Sequence, residues 1–131
     1  MSIWRTYYHL VWATRERTPL ITATIEPELY GYIQTKAKAL DCPVHAVGGI
    51  ADHIHLALSI PPKFSVAEVV RQIKAGSSHY VNKAFPGQHF AWQREYGVFS
   101  LGGKQLPKAI AYVENQKQHH DTQTTIRGLE L

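Results

Sequence analysis

The segment of residues 53–60 constrains the fold more than any other, because two sets of residues alternate along it without a break. The aliphatic set is Ile54, Leu56, Leu58 and Ile60, and the other set is His53, His55, Ala57 and Ser59. Successive side chains of a β-strand point to opposite faces of a sheet. The pattern predicts a strand with one face in the core. It also places His53 and His55 together on the other face, with backbones ~6.6 Å apart.

Local patterns predict the other elements around this strand. Residues 3–14, rich in aromatic and β-branched side chains, form a strand, and further strands lie at 43–50 and 98–101. Helices are predicted at 26–40, at 65–84 after a capping box, and at 107–120, where Pro107 suits a first helical turn. The pairs Gly48-Gly49 and Ala51-Asp52 offer a turn or a bulge between the second and third strands.

The order β-α-β-β-α-β-α predicts an α+β fold of the ferredoxin-like, split βαβ type. In this arrangement an antiparallel sheet carries both crossover helices on one face, and here a further C-terminal helix follows. The 131 residues show no repeat or linker, so a single domain over residues 1–131 is expected.

Composition narrows the class of protein. No apolar run approaches the ~18 residues of a membrane span, and the one cysteine, Cys42, suits a reducing cytoplasm. The net charge of +4 is compatible with a polyanionic partner, although it is weak support for one. Eight histidines in 131 residues direct attention to metal or proton chemistry.

The third helix carries a candidate nucleophile. Tyr112 and Gln116 are four residues apart and therefore share a face, and His119 and His120 extend the same side. A tyrosine can attack a phosphodiester and hold one half as a covalent phosphotyrosine. Two imidazoles from the third strand and the Gln116 amide oxygen offer three ligands to a divalent metal. The alternative is that Tyr112 packs against the sheet, Gln116 is solvated and the histidines are polar residues on a wet face.

Several runs of residues resemble one enzyme family in the family's own order, over about residues 7–120. The run Asp52-His53-Ile54-His55-Leu56 matches the histidine–hydrophobic–histidine "HUH" motif, and residues 112–120 resemble the nucleophile helix of single-tyrosine transposases. Further matches are Tyr8-His9-Leu10-Val11-Trp12, Lys74-Ala75-Gly76-Ser77-Ser78 and Trp92-Gln93. The chain thus resembles the HUH transposases of the smallest prokaryotic insertion sequences, which are relatives of the REP-associated tyrosine transposases.

The resemblance implies DNA transposition by cleavage and rejoining of single-stranded DNA, with magnesium or manganese as cofactor. By position, Tyr112 is the nucleophile that takes the 5′-phosphate, and His53, His55 and Gln116 are the metal ligands. The implied partners are a hairpin at the element end and a second copy of the chain in a homodimer, with Tyr112 acting in cis or in trans.

Basic and aromatic residues are the expected contacts to unpaired DNA, through phosphate neutralisation and base stacking. They are Arg15, Arg17, Lys74, Trp92, Arg94 and Tyr96. The alternative for the aromatic residues is that they fill the core.

Two other functions remain open on the sequence. One is a non-catalytic or domesticated single-stranded nucleic-acid-binding protein of the same fold. The chain keeps Tyr112, Gln116 and the histidine pair, and this counts against a loss of activity. The other is a metal-dependent hydrolase that uses His53 and His55 without a covalent intermediate. That hydrolase would need a carboxylate, and strand alternation directs Asp52 to the core side or the sheet edge instead.

Overall fold

Strands and helices follow one another in the predicted order within residues 3–117, the part of the chain that this computed structural model describes. The strands are β1 (Tyr7–Ala13), β2 (Val44–Ile50), β3 (His53–Ser59) and β4 (Gly97–Leu101), and the helices are α1 (Ile25–Ala39), α2 (Val66–Ala84) and α3 (Leu106–Glu114). No helix in this range is long and apolar enough to cross a membrane. The predicted helical positions His119 and His120 lie outside the described residues.

The four strands form one antiparallel sheet in the order β2-β3-β1-β4. The two central strands are β1 and β3, and their register pairs Val11 with His55 and Ala13 with His53. The strand order and the two crossover helices confirm the predicted α+β, ferredoxin-like fold.

The two faces of the sheet are covered by different helices. On one face, α1 and α2 pack against the alternate aliphatic residues of β3, and the set Ile54, Leu56 and Leu58 is fully buried there. On the other face α3 lies over β2 and β3, where Val113 packs against Ala46 and Ala57. The small side chains on this second face allow a helix to lie close to the sheet.

The bounds of β1 differ from the predicted ones because they depend on where its partner strands end. β1 begins at Tyr7 because its ladder partners, Ser59 of β3 and Leu101 of β4, are the last residues of their strands. The pair Gly48-Gly49 lies inside β2 and forms no turn. The turn is made by residues 51–52, and the bulge falls at His45, where the pairing of β2 with β3 shifts by one residue.

Candidate functional site

The histidine pair of β3 lies on the face covered by α3. The rings of His53 and His55 have centroids 5.1 Å apart. The predicted common face is therefore observed, but it is not a wet face, since His53 is 3% exposed and His55 is fully buried. Burial of two imidazoles requires hydrogen-bond partners, because an unsatisfied buried polar group costs free energy.

Both histidines are bonded through Nδ1 to a second side chain. Nε2 of His9, on β1, lies 2.7 Å from Nδ1 of His55, and Oδ1 of Asp52 lies 2.8 Å from Nδ1 of His53. Asp52 is also 4.0 Å from the guanidinium of Arg17. The expectation for Asp52 was wrong, because it sits in the 51–52 turn, where strand alternation does not apply. Its carboxylate therefore reaches a histidine of the site.

Tyr112, on α3, packs against the histidines of the sheet. Its ring lies edge-on to His55, with centroids 5.9 Å apart, and the centroid of His9 is 6.5 Å from it. Tyr112 is 2% exposed. The phenol ring of α3 and the imidazoles of β1 and β3 thus form one cluster within a single chain.

Gln116 lies one turn further along the chain and is 1% exposed. Its Nε2 donates a hydrogen bond of 3.1 Å to the carbonyl oxygen of Tyr112. The residue lines a cleft of about 310 Å³ between α1, β2 and the end of α3, together with Gly48. Gly48 is the cross-strand neighbour of His55, so Gln116 lies on the β2 side of the histidine cluster.

The donor set fits a hard or borderline divalent cation. With Nδ1 of each histidine bonded to a second residue, Nε2 is the ring nitrogen that would bind a metal, which is the usual division of roles in metal sites. Within residues 3–117, no three His, Cys, Asp or Glu side chains are grouped so that they would hold a metal ion. Among these residues a third ligand would be of another type, and a glutamine amide oxygen is one that a hard cation accepts.

Contacts at Val113 and at Lys117, both after Tyr112 in the chain, restrict the position of α3. A Cβ atom on Gly48 would lie 2.1 Å from the carbonyl oxygen of Val113, so the helix backbone rests directly on this glycine. Beyond the end of the helix, Lys117 Nζ lies 2.8 and 2.9 Å from the two carboxylate oxygens of Glu26. These contacts hold the tyrosine helix on the sheet of its own chain.

The residues predicted to contact DNA gather around two adjoining clefts next to α2. Arg15, Lys74, Trp92 and Arg94 line a cleft of about 360 Å³. Lys74, Arg94 and Tyr96 line another, of about 300 Å³. Arg17 lies apart from them, beside Asp52.

Two members of this group also have structural contacts. The ammonium group of Lys74 donates to the backbone carbonyls of residues 93, 94 and 95 at 2.5, 3.0 and 3.3 Å, and burial lowers the pKa of this lysine. The indole N–H of Trp92 donates to Ser77 Oγ at 2.9 Å, and its ring packs edge-on to Trp12. The exposed guanidinium groups of Arg15 and Arg94 are the stronger candidates for phosphate contacts.

Sequence reasoning missed His9 as a member of the site. The residue occurs in one of the runs that resemble the transposase family, but no role follows from that run. A usable signal was present, because Leu10 and Trp12 belong to the core face of β1, which sends His9 to the opposite face.

Comparisons with known proteins show the family of the chain. The family described as "Transposase IS200 like" matches residues 2–116, and the chain belongs to this family. The ISDra2 transposase TnpA of Deinococcus radiodurans is 22% identical over 121 residues, which cover 87% of this chain and 86% of the relative. The transposase of insertion sequence element IS200 from Salmonella typhimurium is 27% identical over 119 residues, which cover 86% and 78%.

Two solved structures share the fold. A crystal structure of a putative transposase from Deinococcus radiodurans superposes with a TM-score of 0.72 at 24% identity, covering 88% of this chain and 93% of that one. A REP-associated tyrosine transposase bound to a REP hairpin superposes with a TM-score of 0.65 at 16% identity, covering 98% and 76%. Family membership identifies the chain as a tyrosine transposase, and this class of enzyme cleaves and transfers DNA.

Proposed function

We propose that the protein transposes DNA by cutting and rejoining single strands, with Tyr112 as nucleophile and a divalent cation at His53, His55 and Gln116. The observation that carries this proposal is the cluster in which the Tyr112 ring lies 5.9 Å from the ring of His55. A tyrosine that only filled space on this face would need no buried imidazoles around it, and burying them costs free energy.

The covalent step conserves atoms and charge. Tyr112 Oη forms a bond to phosphorus as the bond from phosphorus to the 3′ oxygen breaks. The phenol proton is lost to a base or to water, and the departing 3′ oxygen gains a proton to become a hydroxyl. The phosphotyrosine keeps the energy of the original phosphodiester, so a 3′-hydroxyl at another junction reverses the step and joins the strands.

The side chains of the chain position the reactants. The edge-on packing of Tyr112 against His55 and His9 restricts its ring, and contacts of α3 with β2 restrict its backbone. When bound, a magnesium or manganese ion supplies positive charge that stabilises the charge developing on the phosphate oxygens. Because Tyr112 is 2% exposed, the phenol must become accessible before DNA can reach it.

The DNA partner is proposed to be single-stranded next to the cut, with a hairpin at the element end. An unpaired backbone bends into the in-line geometry that attack requires, whereas a duplex would first have to melt. The clefts lined by Arg15, Arg94 and Tyr96 offer positive charge and an aromatic ring for such a strand. The hairpin bound by the REP-associated structural neighbour supports this choice of partner.

We also propose a homodimer, as the resemblance to the single-tyrosine transposases implies, with Tyr112 acting on the metal site of its own chain. The contacts of α3 with its own sheet support action in cis. Subunits carrying Tyr112→Phe are mixed with subunits carrying His53→Ala to test this. Cleavage that is restored in the mixture contradicts action in cis.

The central experiment traps the covalent intermediate. Labelled oligonucleotides from the DNA that flanks the gene, in single-stranded and duplex form, are incubated with manganese and separated on a denaturing gel. The wild type should form an adduct with the single-stranded form alone. Tyr112→Phe should form none while keeping DNA affinity, and Tyr80→Phe, which changes a half-buried tyrosine bonded to Glu28 away from the cluster, is the matched control. Equal adduct formation by Tyr112→Phe would overturn the proposal, and no adduct with any variant would favour a non-catalytic DNA-binding protein.

A further inference from the structure

His9 is the one histidine of the cluster that the proposed chemistry does not use. It is fully buried in the middle of β1, and its Nε2 lies 2.7 Å from Nδ1 of His55. The two ring planes are inclined by only 25°, with centroids 4.9 Å apart. A short bond between two buried and nearly parallel imidazoles fixes the rotation of both rings.

The hydrogen bond also constrains where the protons sit. Of the two nitrogens that face each other, one must carry the proton and the other must accept it. If Nε2 of His55 binds a cation, Nδ1 of His55 carries the proton and Nε2 of His9 accepts it. The proton of His9 then lies on its Nδ1. A cation on Nε2 of His55 is therefore compatible with only one tautomer of each ring.

We infer that His9 is a positioning residue for the metal site: it accepts the Nδ1 proton of His55 and so presents Nε2 of His55 to the cation. The inference rests on the proposed metal site. Asp52 has the corresponding relation to His53, with 2.8 Å between Oδ1 and Nδ1. A carboxylate is a common partner for a ligating histidine, whereas Nε2 of an imidazole is an acceptor in only one of the two neutral tautomers.

If His9 had only a structural role, its replacement by an apolar ring would leave metal binding unchanged. Its ring also lies 5.7 Å from that of Phe99, centroid to centroid, and an apolar ring of similar size would preserve this packing. His45 provides a matched control, because its Nε2 makes a bond of the same length, 2.7 Å, to Ser59 Oγ outside the cluster. If His9 positions His55, metal binding should weaken when position 9 loses its hydrogen-bond acceptor. Replacing a histidine on this face that lies outside the cluster, such as His45, should have no effect on metal binding.

The first test measures binding of manganese, in the absence of DNA, by calorimetry and by electron paramagnetic resonance. His9→Phe should weaken manganese binding by about 10- to 100-fold, the usual effect of removing a group that orients a ligand. His9→Gln places an amide oxygen near the position of Nε2 and should recover most of the affinity. His45→Phe should bind as the wild type does. Wild-type affinity in His9→Phe would overturn the inference.

The second test keeps the inference falsifiable if His9→Phe does not fold. Nitrogen-15 spectra of histidine-labelled wild-type protein report which ring nitrogen carries the proton, and His55→Ala assigns the signals. The His55 ring should be protonated at Nδ1 before any metal is added, and protonation at Nε2 would overturn the inference. The metal site itself is tested separately, because wild-type manganese affinity in both His53→Ala and His55→Ala would refute the site rather than the role of His9.

Discussion

Replacing Gly48 by alanine tests whether contact between α3 and the sheet sets the position of the nucleophile. The new Cβ would lie 2.1 Å from the carbonyl oxygen of Val113 and 3.1 Å from its carbonyl carbon. Both are backbone atoms, so no side chain can rotate away to relieve the contact. Since real Cβ atoms essentially never approach another atom within 3.0 Å, helix and strand must separate by about 0.9 Å.

The size of the effect follows from this displacement. Forcing an extra carbon into a packed interface costs about 1–3 kcal/mol of folding free energy. Tyr112 immediately precedes Val113 and shares its helix, so a displacement of α3 carries the phenol with it. A misplacement of about 1 Å at a reacting group typically costs about 100-fold in rate. Gly48→Ala should therefore reduce the rate of adduct formation about 100-fold while the protein remains folded.

The assay is single-turnover adduct formation with excess enzyme, accompanied by urea unfolding of each variant. Gly31→Ala is the matched control, because a Cβ on Gly31, in α1, meets nothing within 4 Å. That change should leave the rate unaltered and stabilise the protein by about 0.5–1 kcal/mol, the usual gain for glycine to alanine within a helix. An unchanged rate in Gly48→Ala would refute the argument. A faster rate would show that the observed position of α3 is a resting one.

Other groups of the structure give further expectations. Lys117→Met removes the ion pair with Glu26 and should cost less than about 1 kcal/mol, because the pair is partly exposed, yet it should speed amide exchange in α3. Lys74→Met removes the donor that the exposed carbonyls of residues 93–95 share, and water can replace it there, so urea unfolding should show a loss of about 1 kcal/mol and limited proteolysis should cut there first. Burial raises the pKa of Cys42 to about 11, so its contribution to stability is complete below about pH 9 and is lost as the pH rises toward 11. The urea midpoint of the wild type should fall over that range relative to Cys42→Ala.

The sequence predicted the fold because the decisive information is local. Strict alternation in β3 assigns the aliphatic residues to the core face, and a one-residue slip of register would move the whole set to the face that carries the histidines. Helical spacing, the capping box and the proline in the first turn of α3 predict the other elements. The bounds of β1 were less accurate, since the length of a ladder depends on where the partner strands end.

The site was predicted less completely than the fold. Alternation identifies the face of His53 and His55, but it does not show that α3 covers this face and buries both rings. The role of Asp52 depends on a turn conformation, and the role of His9 depends on which strand lies next to β3. The burial of the two rings and the contact of His9 arise between distant segments, so alternation gives the face of His9 but not its neighbour.

Gln116 connects the position of α3 with the metal site and allows one further prediction. If its amide binds the cation of its own chain, displacing α3 by Gly48→Ala must also withdraw that ligand. Gln116→Ala and Gly48→Ala should then each weaken manganese binding, and the double variant should bind no more weakly than the weaker of the two, because both changes remove the same interaction. His9→Phe acts on a different ligand, His55, so its effect should add to that of Gln116→Ala. If the losses of manganese affinity in Gly48→Ala and Gln116→Ala add in the double variant, Gln116 does not depend on the docking of α3 to reach the metal. Coupling in that double variant, together with additivity at His9, is the result expected if α3 carries the nucleophile and the residues directly after it carry a metal ligand.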